Sequence, residues 1–251
     1  MAGHNKWSKI KHRKAVVDSR RGKVWTKVAK AIIVAAKNGG ADPSSNLSLR
    51  YAIDEARYAN MPRDTIERAI KKGAGAGAGE DFVPVRYEGY APGGVAVIVD
   101  TLTNNRTRTI GDVRLIFSTH GGSVGANGCV TYLFEPRGRI GVRGDDSIGE
   151  RLMEAAIAAD AEDVTPPDPG TDAWQVLTPV PAFQAVKEAI ERAGLTIVEA
   201  EIAMVPGTSV RVSGPDVRTL IALVEALEDN DDVQKVYTNA DLDDDAIASL
   251  G

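Results

Sequence analysis

Residues 1–30, MAGHNKWSKIKHRKAVVDSRRGKVWTKVAK, concentrate positive charge at the start of the chain. They hold ten lysines and arginines against one acid, Asp18, whereas the complete 251-residue chain has a net charge of −5. Such segregation predicts a polyanionic partner, because clustered ammonium and guanidinium groups attract phosphates. We predict a nucleic-acid interface that consists of Lys6, Lys9, Lys11, His12, Arg13, Lys14, Arg20, Arg21, Lys23, Lys27 and Lys30.

The second half of this stretch has the period of an amphipathic helix. At about 100° per residue, Arg20, Lys23, Lys27 and Lys30 fall in one narrow sector, and six apolar residues fall opposite. We expect a basic arm over residues 1–19, a helix that begins near Arg20 or Lys23, and lysines that face solvent. A solvated helix face with a soluble tail is the alternative explanation. The apolar residues expected in the core are Trp25, Val28, Ala29, Ile32, Ile33 and Ala36.

Two more short helices complete a basic N-terminal domain, predicted over residues 1–72. Helix stop and start signals place the second helix at about residues 46–58 and the third helix before Gly73. Residues 1–72 hold 17 basic and 6 acidic residues, whereas the rest of the chain holds 13 and 29. The stretch GAGAGAG follows, and its lack of anchoring side chains predicts a flexible linker over residues 73–80.

Short strands and helices alternate after residue 81, which indicates two compact α/β units. The middle unit has its own strand-helix-strand-strand-helix-strand order, so we predict that it is inserted into the other. The predicted fold class is α+β, with an N-terminal three-helix domain followed by two ferredoxin-like α/β domains. The predicted boundaries are 81–136 plus 206–240 for the split domain, 137–205 for the inserted domain and 241–251 for an acidic tail.

One loop in the split domain combines amides, hydroxyl groups and guanidinium groups directly before a predicted helix. Asn105, Arg106 and Arg108 form this candidate secondary anion-binding loop, because a helix N-terminus attracts anions. Ordinary capping of the helix by Asn105 or Thr107 explains the same residues equally well.

We find no catalytic or metal-binding pattern, and we expect neither an enzyme nor a cofactor or small-molecule substrate. Residues 121–125 match G-x-S-x-G, but a helix precedes the serine and a strand follows it, which inverts a nucleophile elbow. The three histidines have no metal-ligand spacing. The single cysteine, Cys129, lies in a predicted buried strand over residues 129–134 and fits a reducing compartment. The apolar run over residues 31–36 is too short to span a membrane.

Four long stretches of this chain carry a resemblance to known proteins, and they are AGHNKWSKIKHRK, NLSLRYAIDEARYANMPRDTIERAIKKGAG, YEGYAPGGVAVIVDTLTNNRTRT and GGSVGANGCVTYLFE. Together they resemble the YebC/PmpR family of probable transcriptional regulators. That family also includes the mitochondrial translational activator of cytochrome oxidase subunit I. Val124 and Cys129 depart from the leucine and serine that are usual in the family, and both changes are small.

The resemblance implies a cytoplasmic protein of three domains without enzymatic activity or cofactor. Its partner would be DNA for a transcriptional regulator, or ribosomal RNA and the ribosome for a translation factor that aids elongation or activates specific messages. The sequence leaves both readings open. A lysine-rich helix face contacts phosphates, which positions a protein without specifying a base sequence. We expect a monomer, because the chain has no heptad pattern or large apolar face.

Overall fold

The computed structural model describes residues 17–75, 81–167 and 172–242, with side chains from residue 22 onward. The architecture mixes helices with sheets and begins with helices, which confirms the predicted fold class. The chain forms two compact units. The second unit consists of Glu135–Val205, and the first is built from the chain on both sides of it.

Three helices begin the first unit, and their apolar faces share one core. The first helix already includes Val17, earlier than expected, and the third includes Gly73 and Ala74, two residues that we assigned to the linker. The helices are α1 (Val17–Gly39), α2 (Leu47–Tyr58) and α3 (Arg63–Ala74). The predicted apolar face of α1 is confirmed, since its members are buried in this core or packed against it. The buried members of the core are Val28, Ile32, Ala36, Leu49, Ala52, Ile53, Ala56, Met61, Ile66 and Ala69.

Two local features hold these helices together. The Asn46 side chain accepts a hydrogen bond from the Leu49 backbone N–H (3.1 Å), which caps α2, and its amide group donates to Ala35 O (2.8 Å) at the end of α1. A Cβ atom at Gly73 would overlap the carbonyl oxygen of Ile33. Glycine is therefore required where α3 crosses α1 closely.

The rest of the first unit is a sheet with two covering helices. Its elements are β1 (Val83–Ala91), β2 (Val95–Thr103), α4 (Arg106–Thr119) and β3 (Ser123–Val124) before the second unit, and β8 (Val210–Val212), α7 (Pro215–Asp229), β9 (Val233–Thr238) and β10 (Ala240–Leu242) after it. The strand order is β3-β1-β2-β9, and β8 pairs with β10 separately. Val97, Val99, Phe117, Leu220 and Val224 belong to the core between the sheet and its helices.

The second unit has the ferredoxin-like order of elements. These are β4 (Phe134–Arg143), α5 (Gly149–Ile157), β5 (Asp163–Thr165), β6 (Ala173–Thr178), α6 (Phe183–Arg192) and β7 (Thr196–Pro206). The sheet order β5-β6-β4-β7 follows from the split strand-helix-strand motif. The sheet of the first unit differs, because β1 and β2 form a direct hairpin with no helix between them.

The strand predicted over residues 129–134 is wrong, because a buried carboxylate occupies its backbone donors. Glu88 accepts hydrogen bonds from the N–H groups of Gly128 (2.7 Å), Val130 (2.9 Å) and Thr131 (2.8 Å). Those donors are thus unavailable to a neighbouring strand. The segment forms a loop and a short 3-10 turn at Thr131–Leu133, with Cys129 half-buried.

The same contacts set the charge state of Glu88. Burial alone would raise the pKa of this carboxyl group, but the backbone N–H groups of Gly128, Val130 and Thr131 lower it overall. A carboxyl group with a lowered pKa stabilises the fold at pH values above its unfolded pKa, and this contribution is lost as the pH falls through the folded value.

We predict that Glu88→Gln lowers the free energy of unfolding at pH 7 by about 1–3 kcal/mol, because the neutral amide replaces a charged acceptor of three N–H groups. Urea unfolding followed by circular dichroism measures this loss. The difference from the wild type shrinks as the pH falls below the ordinary glutamate value of about 4.3. Glu150→Gln at an exposed position is the control. An equal loss at every pH would contradict the role of the Glu88 charge.

Candidate nucleic-acid interface

The structure describes the side chains of three of the eleven residues that we predicted to bind nucleic acid. The backbone of Arg20 and Arg21 belongs to α1, and their side chains lie outside the described part. The six residues outside the described range altogether are Lys6, Lys9, Lys11, His12, Arg13 and Lys14. Binding by these eight residues stays a prediction from sequence.

Lys23, Lys27 and Lys30, here called the lysine row, contact residues 228–232 of the same chain. This acidic segment reads EDNDD and spans the end of α7 and the turn before β9. Lys23 Nζ lies 3.1 Å from Asp229 Oδ1, and Lys27 Nζ donates to the carbonyl oxygen of Glu228. The expectation that the row faces solvent holds for Lys23, which is exposed, and is wrong for Lys27 and Lys30, which are half-buried against the acidic segment.

Lys30 is the most deeply placed member of the row. Its ammonium group donates to Asp231 O (2.8 Å) and Asp232 Oδ1 (3.3 Å), and it lies 5.0 Å from the centre of the Phe82 ring. Only 15% of its side chain is exposed. A cation over an aromatic face and beside a carboxylate is held by two attractions at once.

The carboxylate of Asp232 joins α1 to the start of α4. Its side chain is 7% exposed, and besides Lys30 it accepts hydrogen bonds from Arg108 (2.6 Å), Thr109 Oγ1 (2.8 Å) and Thr103 Oγ1 (3.3 Å). Burial would raise the pKa of this carboxyl group, but Arg108, Thr109 and Lys30 lower it overall. Asp232 is thus a buried charge with a full set of partners.

Ion pairs also cross between the helices and the sheet elsewhere in the first unit. Lys235 at β9 lies 2.6 Å from the Glu55 carboxylate on α2. Lys37 at the end of α1 pairs with Asp81. Ion pairs of both orientations, with the base on a helix or on a strand, therefore connect the helices to the rest of the first unit.

The candidate anion-binding loop is used for helix capping in this structure. Asn105 accepts a hydrogen bond from the Arg108 N–H (3.0 Å) and is the N-cap of α4. The Arg108 guanidinium group donates to Asn104 (3.1 Å) and to Asp232. Arg106 is exposed, and its backbone oxygen accepts from the Tyr87 hydroxyl at 3.4 Å. Of the two explanations, capping is what the structure shows, and anion binding by the loop stays a prediction.

Exposed basic residues on α2 and α3 were not predicted as part of the interface. Arg63 pairs with Glu67 one turn away (2.8 Å), and Arg57 pairs with Asp54 (3.2 Å). The excess of 17 basic over 6 acidic residues in residues 1–72 already indicated that basic charge continued beyond residue 30. This exposed basic set consists of Arg57, Arg63, Arg68, Lys71 and Lys72.

The described residues form neither a metal site nor a membrane-spanning helix. No group of three or more His, Cys, Asp or Glu side chains within residues 17–75, 81–167 and 172–242 could hold a metal ion. Over the same ranges, the helices lack the length and apolar character needed to cross a membrane.

Comparison with known proteins identifies relatives along the whole chain. A protein from Desulforapulum autotrophicum is 48% identical over 250 residues, and one from Methylococcus capsulatus is 51% identical over 252 residues, each alignment covering both chains completely. Both relatives are named as probable transcriptional regulatory proteins. The crystal structure of a conserved hypothetical protein, Aq1575 from Aquifex aeolicus, matches with a TM-score of 0.83 and 46% identity, covering 92% of this chain and 94% of that one.

Two family models divide the chain between them. Residues 5–76 match the TACO1/YebC protein N-terminal domain. Residues 82–240 match the TACO1/YebC second and third domain. The family resemblance that we recognised in the sequence is thereby confirmed, and the chain belongs to the TACO1/YebC family.

Proposed function

We propose that this protein is a non-enzymatic, nucleic-acid-binding regulator of gene expression that acts on DNA in the cytoplasm. The observation that carries the proposal is the charge division, with a net +11 over residues 1–72 and −16 over residues 73–251. An acidic remainder repels a polyanion, so binding is confined to the basic N-terminal part. The names of the relatives support DNA as the target.

We expect the exposed basic residues to meet the nucleic acid first. The lysine row is already paired with the acidic segment. Initial contacts therefore fall to the basic residues of the arm and to the exposed basic set on α2 and α3. Phosphate contacts from such residues supply affinity and orientation.

A translation factor on ribosomal RNA is a second candidate. The sequences of α2 and α3, LSLRYAIDEARY and RDTIERAIKKGA, contain neither Asn nor Gln. These helices thus present cations without the amide side chains that read adenine in a major groove. A target recognised by shape and backbone, such as a structured RNA, suits this surface.

We predict that neutralising four cations of the arm, with Lys9→Gln, Lys11→Gln, Arg13→Gln and Lys14→Gln, weakens binding to a 20-base-pair DNA duplex by at least about tenfold at low salt. Each lost phosphate contact should also reduce the slope of log K against log salt concentration by about 0.9. Fluorescence anisotropy titrations at several salt concentrations measure both effects.

The matched control neutralises four exposed arginines outside residues 1–72, namely Arg114, Arg151, Arg192 and Arg218. It changes the net charge by the same amount and should lower affinity much less. Equal losses in the two variants would mean that net charge, and not the arm, determines binding. An unchanged affinity and salt slope in the arm variant would refute the arm as the site.

The two candidate targets differ in how the protein sediments from a cell lysate. For a DNA-bound regulator, we expect the native protein near the top of a sucrose gradient and retention on a DNA column that high salt reverses. Co-migration with ribosomes that high salt or ribonuclease abolishes would instead establish the translation factor. The arm variant, run in parallel, shows whether either association depends on the arm.

A further inference from the structure

We propose that the acidic segment, residues 228–232, is an internal competitor that covers the lysine row and is displaced from Lys23 and Lys27 when nucleic acid binds. The proposal rests on the proposed function and concerns the regulation of the same surface. In the free protein, carboxylate and carbonyl oxygens of the segment take the places that phosphate oxygens occupy in the complex.

The geometry of the lysine row fits both kinds of ligand. Residues 23, 27 and 30 lie one helical turn apart on α1, so their side chains follow one line along its surface. Every ammonium group of the row contacts an oxygen of the acidic segment. A phosphate that approached this line would meet the negative charges of Asp229 and Asp231, which repel it unless the segment moves away.

The acidic residues at the end of α7 are unfavourable for the helix itself, which supports a role in the contact with α1. A helix C-terminus has negative partial charge, so basic residues are favoured there and acidic ones are unfavourable. The last turn of α7 contains no basic residue, and Glu228 and Asp229 end the helix. The lysine row offsets this local repulsion, which makes the end of α7 a concentrated anionic surface directed at α1.

The contacts differ in strength along the row, which gives the displacement a direction. Lys23 and Asp229 have side chains that are 45% and 68% exposed, and such exposed pairs exchange readily with other ions. Lys30 and Asp232 are 15% and 7% exposed, and Asp232 is also bonded to Arg108. Nucleic acid should therefore bind Lys23 first and then Lys27, while Lys30 keeps α1 attached to the sheet.

The test removes two charges of the segment from the full chain with Asp229→Asn and Asp231→Asn. Both residues are exposed, and Lys30 bonds to the backbone oxygen of Asp231, which the substitution keeps. The control, Glu150→Gln with Glu154→Gln, removes two exposed acids of the second unit and changes the net charge equally. Circular dichroism first establishes that both variants are folded.

We expect the segment variant to bind a 20-base-pair DNA duplex about two- to tenfold more tightly than the control variant, because it loses one exposed ion pair and a second negative charge beside it. If the contact were only structural, the two variants would bind with equal affinity. Equal or weaker binding by the segment variant, relative to the control, overturns the proposal.

Hydrogen exchange of the wild-type protein is an independent test of the displacement. Amide protons of residues 228–230 should exchange faster when the duplex is bound, because this part of the segment loses its contacts with Lys23 and Lys27. Unchanged or slower exchange there, in a protein that binds the duplex, also overturns the proposal. A wild type that binds neither the duplex nor a 20-nucleotide RNA hairpin would refute the proposed function. Arm-dependent binding that the segment variant leaves unchanged would refute only the proposal that the acidic segment competes with nucleic acid.

Discussion

The buried carboxylate of Asp232 is the constraint on which the first unit depends. A charge that is 7% exposed is tolerated only when strong donors surround it, because removing it from water costs several kcal/mol. Lys30 supplies one donor from α1, and Arg108 and Thr109 supply others from the first turn of α4. The start of α4, the turn after α7 and the middle of α1 must therefore meet at one point.

This convergence divides the positive charge of the N-terminal part into two groups. Lys23, Lys27 and Lys30 neutralise the acidic segment, and Lys37 pairs with Asp81. The exposed basic set on α2 and α3 remains in solvent. Net charge counted along a sequence therefore overstates the charge available to a partner, since an acidic domain of the same chain competes for it.

Local patterns could be predicted from the sequence, and distant pairings could not. The core face of α1 follows from a period within one helix, so Val28, Ile32 and Ala36 were predicted correctly. The acidic partners of the lysine row lie about 200 residues away, where no periodic signal connects them to α1. The strand predicted at Cys129 was wrong for a similar reason, because the Glu88 carboxylate that binds this backbone comes from β1.

Two kinds of contact order this chain. Apolar side chains form cores in both units, with Val97 and Leu220 buried in the first and Ile140 and Val176 buried in the second. The contacts of α1 with the end of α7 are instead ammonium groups against carboxylates and carbonyl oxygens. Apolar contacts respond weakly to salt or a polyanion, whereas exposed ion pairs are screened and exchanged by both. A contact built from charges is thus the part of this fold that a nucleic acid can alter without disturbing a core.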